Sequence, residues 1–164
     1  MIASTKTEVA INKYLGLFEK RPLTESQINY IQDSLSIKMP DDLKSIMSVF
    51  DGYYEMAHQS LFSFNPSVSN WNIIEKTLFY RKSDCMLPKK YIALREEGES
   101  FIALDTEVGS VIWCSLSDAY RLKDGDSLID NPKIFSTFKD FFEYLVTEEE
   151  KERGYTPKTD TKNS

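Results

Sequence analysis

The stretch from Thr24 to Gly52, TESQINYIQDSLSIKMPDDLKSIMSVFDG, constrains the fold most, because it has the pattern of two short amphipathic helices separated by a proline. Thr24 and Gln27 have the spacing of a capping box, in which the hydroxyl accepts from an early backbone N–H and the amide reaches back. Apolar residues then recur at i, i+3 and i+7: Ile28, Ile31 and Leu35. Residues at this spacing share one helical face, which predicts a helix packed on a core.

The second helix of this stretch is predicted to begin with Pro40 just inside it and to end before Gly52. Proline is tolerated there because its missing N–H would have had no intrahelical partner. Asp41 and Asp42 lie in the first turn, where negative charge is favourable. An apolar stripe follows at helical spacing: Leu43, Ile46, Met47 and Phe50. Gly52 is predicted to adopt the left-handed conformation that ends many helices.

A helix is also predicted at the N-terminal end of the chain. Thr5 and Glu8 form a second candidate capping box, and the helix runs to about Glu19. It ends before Pro22, because a residue that precedes proline is disfavoured in the helical region. Its predicted apolar face consists of Ile11, Leu15 and Phe18.

Two more helices are predicted in the rest of the chain. The first spans residues 67–82, with Trp71, Ile74 and Leu78 at helical spacing. The second is capped by Ser136 or Thr137, residue types favoured at helix starts. Its apolar stripe lies at i, i+3, i+4 and i+7: Phe138, Phe141, Phe142 and Leu145.

From Tyr91 the apolar pattern changes to alternation, which is typical of strands. Three strands rich in β-branched and aromatic residues are predicted: Tyr91–Leu94, Ser100–Leu104 and Val111–Cys114. Glu97-Gly98 and Val108-Gly109 are the turns between them, so they should form an antiparallel meander. Two short strands are added to the prediction: Ser60–Phe64, and Tyr120–Leu122 closed by Asp124-Gly125.

The 164 residues are enough to bury a full core without disulfides. We expect one α+β domain over residues 1–150 and a flexible tail over residues 151–164, which hold few apolar side chains. Ten side chains are predicted to share the core: Ile28, Ile31, Leu35, Leu43, Ile46, Phe50, Phe101, Ile112, Phe138 and Phe142.

Charge is distributed unevenly along the chain. Residues 94–130 hold nine acidic and three basic side chains, a net charge of −6 that equals the net charge of the whole chain. Residues 75–90 are predominantly basic. An acidic body disfavours nucleic acid as a partner, because phosphate contacts require a basic surface. Two alternatives remain open: a basic protein partner, or a solvated surface that only maintains solubility.

The sequence predicts no membrane span, since it has no run of about 18 apolar residues. Its beginning, MIASTKTEV, lacks the basic flank and the apolar segment of a signal peptide. The two cysteines, Cys85 and Cys114, do not have metal-site spacing. We therefore expect a cytoplasmic protein with free thiols.

The residues predict no catalytic centre. His58 is the only histidine, and with two distant cysteines a zinc site is not expected. The chain contains neither a nucleotide-binding glycine motif nor a GxSxG nucleophile motif. We expect no metal, no bound nucleotide and no cofactor. An enzyme that uses His58 and a cysteine is the remote alternative.

Three blocks in a fixed order resemble the SUKH superfamily, the Smi/Knr-type domain named after fungal cell-wall regulators. The first runs from Glu25 to Gly52 and includes Met39-Pro40 and Asp51-Gly52. The second is GESFIALD ending at Asp105, followed by GSVIW ending at Trp113. The third is STFKDFF over residues 136–142.

The chain departs from the family pattern at two positions. Gln32 stands where the family has a second acid, and Tyr53 stands where it has the second glycine of a Gly-Gly pair. The resemblance covers residues 24–146. It implies helices packed on a mixed, mainly antiparallel sheet in a single α+β domain.

The resemblance also implies a function without catalysis. Most bacterial members are thought to be immunity proteins that bind and neutralise toxins, often nucleases, whereas fungal members are signalling scaffolds. Three hypotheses therefore remain: an immunity protein that binds a basic toxin domain, a scaffold of the Smi/Knr type, and the small enzyme. The oligomeric state stays open.

A partner-binding surface is predicted around the meander. Its carboxylates lie in or beside the predicted turns: Glu96, Glu97, Glu99, Glu107, Asp124 and Asp126. Side chains at turns remain solvated and reachable. An outward-facing aromatic residue, Trp113 or Tyr120, would supply the tight contact at the centre of such an interface.

Overall fold

The fold is α+β, as the sequence predicts. The computed structural model describes residues 5–53 and 55–154. Its elements are α1 Thr5–Leu15, α2 Glu25–Leu35, α3 Asp41–Met47, β1 Glu55–Met56, β2 Gln59–Ser60, α4 Ile73–Lys82, β3 Tyr91–Glu97, β4 Ser100–Asp105, β5 Val111–Ser115, α5 Leu116–Arg121, a 3-10 turn Leu122–Asp124, β6 Lys133–Phe135 and α6 Phe138–Glu152. Both sheets are antiparallel: a β1–β2 hairpin and a four-stranded sheet in the order β3-β4-β5-β6. Within the described ranges, the parallel pairing is a single bridge between Ser63 and Asn72.

Helices cover both faces of the larger sheet. Phe101 pairs with Cys114 and the next residue, Ile102, pairs with Trp113, so the side chains of Phe101 and Trp113 lie on opposite faces. The ring of Phe101 contacts Tyr80 of α4, with the centroids 5.1 Å apart. The ring of Trp113 contacts Phe141 of α6 at 6.4 Å. The meander is therefore enclosed between α4 and α6.

Aromatic rings form the centre of the core between the helices. The centroid of Phe50 lies 5.2 Å from that of Phe142, 5.5 Å from that of Tyr14 and 5.5 Å from that of Phe64. Nine of the ten predicted core residues are buried, and Ile28 is half-buried against the same cluster. The helical spacing and the strand alternation in the sequence thus identified buried residues of the core correctly.

The predicted start signals of α2 and α6 are confirmed. The Gln27 amide donates to Thr24 Oγ1 at 3.2 Å, and the Thr24 amide donates to Gln27 Oε1 at 2.9 Å, which completes the capping box. Thr137, rather than Ser136, caps α6 by accepting from the Asp140 amide at 3.1 Å. Pro40 lies one residue earlier than predicted, at the cap of α3, with an extended ψ of 148°.

The first helix is shorter than predicted, and a different face is buried. It ends at Leu15, and its buried residues are Thr7, Ala10 and Tyr14. Leu15 is exposed, whereas Phe18 stacks on Tyr14 from the turn that follows the helix. The buried face is shifted by one residue because α1 packs along α6, where Lys13 pairs with Glu150 at 3.2 Å.

The predicted strand Tyr120–Leu122 is wrong, because this segment is helical. Ser115 caps α5 by accepting from the Asp118 amide at 3.0 Å, a local start signal that the short alternating pattern concealed. The strand beside β5 is instead β6, Lys133–Phe135, whose three residues are too few to show alternation.

Two other boundaries differ from the prediction. Helix α4 begins at Ile73 rather than near residue 67, since Asn72 caps it by accepting from the Glu75 amide at 2.9 Å. The predicted strand Ser60–Phe64 contributes only Ser60 to β2, and residues 61–64 continue as a connection. At the C-terminal end, α6 reaches Glu152, and most of the predicted tail, residues 155–164, lies outside the described residues.

None of the helices in the described ranges is long and apolar enough to cross a membrane.

Candidate functional site

An open groove lies where the loop after α3, the β1–β2 hairpin and the end of β3 meet. Its volume is about 510 Å³, within the range of about 300–1,000 Å³ that is usual for ligand pockets. We call it the aromatic groove. Its lining includes three aromatic residues, three carboxylates and one arginine: Tyr53, Phe62, Trp71, Glu55, Glu96, Glu97 and Arg95.

Main-chain hydrogen bonds fix the floor of this groove. The Tyr53 amide donates to Leu61 O at 3.2 Å, and the Phe62 amide donates to Leu94 O at 2.8 Å. Leu94 lies at a bulge in β3, between the paired residues Ala93 and Arg95. A bulge leaves one residue out of the ladder and re-aims its neighbours. At this bulge, the connection after β2 is thus hydrogen-bonded to the edge of the larger sheet.

Trp71 forms one wall of the groove. It lies just before the cap of α4, where its carbonyl accepts from the Ser63 amide at 2.7 Å. The side chain remains 53 % exposed, although Lys76 Nζ lies 4.6 Å from its ring centroid. The preceding residue, Asn70, has a φ of 70°, a left-handed conformation that asparagine tolerates better than most residues.

Tyr53 also lines the groove, and its backbone conformation is unfavourable. Its φ is 62°, a conformation that is an outlier for a bulky side chain. The tyrosine is 53 % exposed, so burial of its ring does not account for the strained backbone. Strained residues concentrate at functional sites, where the surrounding structure holds them in place. Tyr53 is therefore a candidate binding residue.

Arg95 is the buried cation of the groove. It is only 6 % exposed, and its guanidinium contacts Gln59 of β2 and Glu97 at the end of β3. Burial lowers the pKa of Arg95 from its usual value, yet a guanidinium remains charged in proteins. Its Nε has no hydrogen-bond partner among the residues that the structure describes. Such a buried unsatisfied donor is unusual in native proteins.

The β3–β4 hairpin brings three of the predicted carboxylates together. Glu96, Glu97 and Glu99 are consecutive or nearly so around the turn, and all three are exposed. Glu96 Oε2 accepts from the Tyr80 hydroxyl at 2.6 Å. Burial and this hydrogen bond raise the pKa of Tyr80, so its hydroxyl stays neutral. The three carboxylates form an acidic edge beside the aromatic groove.

The other predicted carboxylates lie elsewhere. Glu107 is in the β4–β5 turn, at the opposite end of β4. Five residue steps separate Ser100 from Asp105, or about 17 Å at about 3.4 Å per step. Asp124 and Asp126 lie in the turn and loop after α5, which packs beside β4 and β5. The predicted rim therefore divides among three places.

Part of the negative charge in residues 94–130 is structural rather than free. Asp105 is buried, accepts from the Glu107 amide at 2.9 Å and pairs with Lys90 at 3.1 Å. Asp118 is also buried and accepts from two backbone amides of the loop that precedes β6. These two carboxylates hold turns, so they do not contribute to an interaction surface.

The two predicted aromatic anchors have different surroundings. Trp113 packs against α6 and donates from Nε1 to Ser100 Oγ at 2.9 Å, while Lys133 Nζ lies 5.2 Å from its ring. It is half-buried and serves the packing of the sheet. Tyr120 is exposed on α5. Neither lines the aromatic groove.

The end of the sheet opposite the acidic edge is basic. A cleft of about 350 Å³ there is lined by Lys38, Lys89 and Lys90, with Glu107 on its border. Of these lysines, Lys90 pairs with Asp105, and the hydrogen bond between them raises the pKa of Lys90. The molecule thus has surfaces of opposite charge at the two ends of the meander.

His58 holds the β1–β2 hairpin to α6. Its Nε2 lies 2.8 Å from Glu152 and its Nδ1 lies 3.5 Å from Glu55. The carboxylate of Glu152, followed by that of Glu55, raises the pKa of His58. Ala57 and His58 both have positive φ, which makes a tight two-residue hairpin turn.

The arrangement of His58 and the cysteines does not supply the pair that the enzyme hypothesis requires. Both cysteines are buried, and the Cys85 thiol contacts Ala119 O at 3.8 Å. Burial raises the pKa of both thiols, that of Cys114 to about 12, so they remain protonated. Among residues 5–53 and 55–154, no group of three or more His, Cys, Asp or Glu side chains is arranged to hold a metal ion.

The sequence does not predict the aromatic groove. Helical spacing places Trp71 on a helix face, and Tyr53 stands out only as a departure from a Gly-Gly pair. That departure is the available signal, because a glycine-favouring position occupied by tyrosine implies a reason to retain the side chain. The rest of the groove depends on pairing between distant segments, which local patterns do not reveal.

Comparisons with known proteins agree with the fold. A family model described as the SMI1/KNR4 family (SUKH-1) matches residues 22–145. A crystal structure of a protein from Pseudomonas syringae pv. tomato is similar, with a TM-score of 0.57 and 16 % sequence identity. The similarity covers 82 % of this chain and 93 % of that chain, and at this identity it shows the fold alone. No curated protein matches the chain.

Proposed function

Because the chain belongs to the SMI1/KNR4 family (SUKH-1), we propose that it is a non-catalytic immunity protein that captures a toxin domain with a basic surface, such as a nuclease. It acts in the cytoplasm, without a cofactor, and it binds neither nucleic acid nor membrane. Neutralisation follows from stoichiometric binding to the toxin.

The observation that supports this proposal is the acidic edge beside the aromatic groove. Interfaces combine a few aromatic anchors near the centre with a polar rim. Tyr53 and Trp71 are exposed aromatic residues in a concave site. Glu96 and Glu97 line this site, and Glu99 follows them in the same turn. A surface with this composition matches a partner that presents basic side chains.

The two components contribute differently to binding. Each exposed carboxylate adds little to affinity, on the order of 0.2–1 kcal/mol. Together they accelerate association with an oppositely charged partner, and this acceleration weakens with salt because the Debye length falls from about 10 Å at 0.1 M to about 3 Å at 1 M. The aromatic residues contribute the tight contact.

The test begins with identification of the partner. The tagged protein is recovered from its native cells, and the bound proteins are identified by mass spectrometry. One toxin whose activity is abolished at a 1:1 ratio supports the proposal. Several housekeeping partners with no inhibited activity contradict it.

Charge reversal then tests the surface. Replacing Glu96, Glu97 and Glu99 by Lys should slow association with the toxin and flatten its dependence on salt. The matched control reverses Glu107, Asp124 and Asp126, which changes the net charge equally but lies outside the acidic edge. Equal effects in both triple variants would assign the steering to total charge rather than to this surface.

A signalling scaffold is the second candidate function. The observation that favours it is the pair of oppositely charged surfaces at the two ends of the meander, the acidic edge and the cleft of Lys38, Lys89 and Lys90. Two separated surfaces suit a protein that holds two partners at once. Isolation of a ternary complex would favour this function, provided that altering either end of the meander removes only the partner bound at that end.

A further inference from the structure

The aromatic groove has the chemistry of a site for a cationic side chain. The faces of aromatic rings attract ammonium and guanidinium groups within about 6 Å of the ring centroid. The chain shows this at one wall, where Lys76 Nζ lies 4.6 Å from Trp71 and 5.5 Å from Phe62. The remaining exposed surface of Trp71, together with Tyr53, is available for a second cation.

The charges around the groove favour a ligand that brings positive charge. Three carboxylates and one arginine are among the lining residues, and Lys76 lies over two of the rings, so these groups together carry a net charge of −1. The arginine is paired with Glu97. The partner of Glu96 is the Tyr80 hydroxyl, which is neutral. Glu55 lies 3.5 Å from His58, at the far side of the hairpin turn. The carboxylates of Glu96 and Glu55 thus remain incompletely neutralised.

Arg95 belongs to the groove lining but is not exposed to a ligand. It is more than nine-tenths buried, its guanidinium pairs with Glu97, and its Nε is shielded from solvent. A bound segment therefore meets the rings and the carboxylates rather than this guanidinium.

We propose that the aromatic groove binds one lysine or arginine side chain, projected by an extended segment of the partner protein. The cationic head packs on the rings of Tyr53 and Trp71 and pairs with Glu96 and Glu55. The identity of the partner rests on the proposed function, and the ligand chemistry rests on the groove itself.

The backbone of Tyr53 is explained by this role. A left-handed φ is unfavourable for most residues other than glycine, and the φ of Tyr53 is 62°. Glycine would remove this strain. A tyrosine kept there supplies a ring face to the groove, so its side chain serves binding at the expense of folding.

The test uses the whole protein and a short peptide as the probe. Acetyl-Gly-Arg-Gly-amide is titrated while the amide and indole signals are followed by NMR. We expect saturable shifts, in the millimolar range, at the Trp71 indole and at the amides of the β3–β4 turn. The control peptide carries citrulline, which has nearly the shape of arginine but no charge, and it should cause no saturable shift.

Variants separate binding from folding. Tyr53→Gly should raise the unfolding midpoint and yet weaken peptide binding at least about tenfold, so a loss of binding cannot be attributed to misfolding. Trp71→Leu should weaken binding similarly. The matched control is Tyr30→Ala, at an exposed tyrosine of α2 outside the groove, which should leave binding unchanged.

Several results would overturn the inference. These are equal shifts with both peptides, shifts confined to other surfaces, no saturable shift at all, or unchanged binding in Tyr53→Gly. The two proposals also fail separately. Peptide binding in the groove without any toxin would leave this inference intact and remove the immunity function. Toxin neutralisation that is insensitive to Tyr53→Gly and Trp71→Leu would support the immunity function and remove this inference.

Discussion

Gly52 and Phe62 approach so closely that a β-carbon at position 52 would lie 2.6 Å from the carbonyl oxygen of Phe62. The φ of Gly52 is 72°, so glycine is needed both for the backbone conformation and for the space. This contact brings the chain after α3 against the connection that lines the aromatic groove.

Gly52→Ala should therefore destabilise the protein by more than the left-handed backbone alone explains. The conformation accounts for about 1–2 kcal/mol, and the overlap with main-chain atoms adds to it. Urea denaturation measures the change. Gly125→Ala is the matched control, since Gly125 has a φ of 67° but a β-carbon there would meet no heavy atom of the described residues within 4 Å. Equal losses of unfolding free energy in the two variants would show that the chain near Phe62 moves away from the new β-carbon without a measurable cost.

Phe142→Ala should lower the free energy of unfolding by about 3–5 kcal/mol, the usual range for a buried aromatic residue. Phe142 is fully buried, and its ring contacts both Phe50 and Tyr14. Phe79→Ala is the control, because Phe79 is exposed on α4 and should change stability by no more than about 0.5 kcal/mol. An unchanged denaturation midpoint for Phe142→Ala would contradict the packing of α6.

The stabilising contribution of His58 should depend on pH. Glu152, and then Glu55, raises the pKa of His58 in the folded protein, so the protonated form is favoured by folding. Its contribution is fully present below the unfolded pKa of about 6.5 and is lost as the pH rises through the raised folded pKa. The difference in melting temperature between the natural protein and His58→Gln should shrink over this interval. A difference that is constant from about pH 5.5 to 8.5 would contradict the ion pairs.

The stabilising contribution of Asp118 should depend on pH in the opposite direction to that of His58. Burial alone would raise its pKa, but hydrogen bonds from the Ile129 and Asp130 amides, together with Arg121, outweigh burial and lower it. The stabilisation is present above the unfolded pKa of about 3.9 and is lost as the pH falls through the lowered folded pKa. Asp118→Asn should speed amide hydrogen exchange at Ile129 and Asp130 at neutral pH. Asp124→Asn, at an exposed carboxylate, should not.

The helices and the meander could be predicted because their signals are local. The Thr24–Gln27 capping box lies within four residues. The spacing of Phe138, Phe141 and Phe142 is enough to show that they share one helical face. Helix α5 was not predicted, because its six residues are too few to show helical periodicity and part of the segment resembles a strand. The end and buried face of α1 depended on contact with α6, which no local pattern contains.

The candidate site was less predictable than the fold. The β3–β4 turn gathered Glu96, Glu97 and Glu99, but Glu107 lies in the next turn, and successive turns of the predicted antiparallel meander occupy opposite ends of the sheet. Trp71 and Tyr53 are 18 positions apart in the chain. The groove that both residues line also depends on the hydrogen bond between Phe62 and Leu94, a contact across 32 positions. Long-range pairing of this kind becomes visible only in the folded chain.

The walls of the aromatic groove are built from connections and strand ends, whereas the central rings of Tyr14 and Phe142 are held by helices α1 and α6. Substitutions at Tyr53 or Trp71 therefore alter what the surface presents without removing any of those central contacts. A protein arranged in this way can change its specificity one residue at a time and remain folded at each step. Such an arrangement would let a lineage follow a partner that is itself changing.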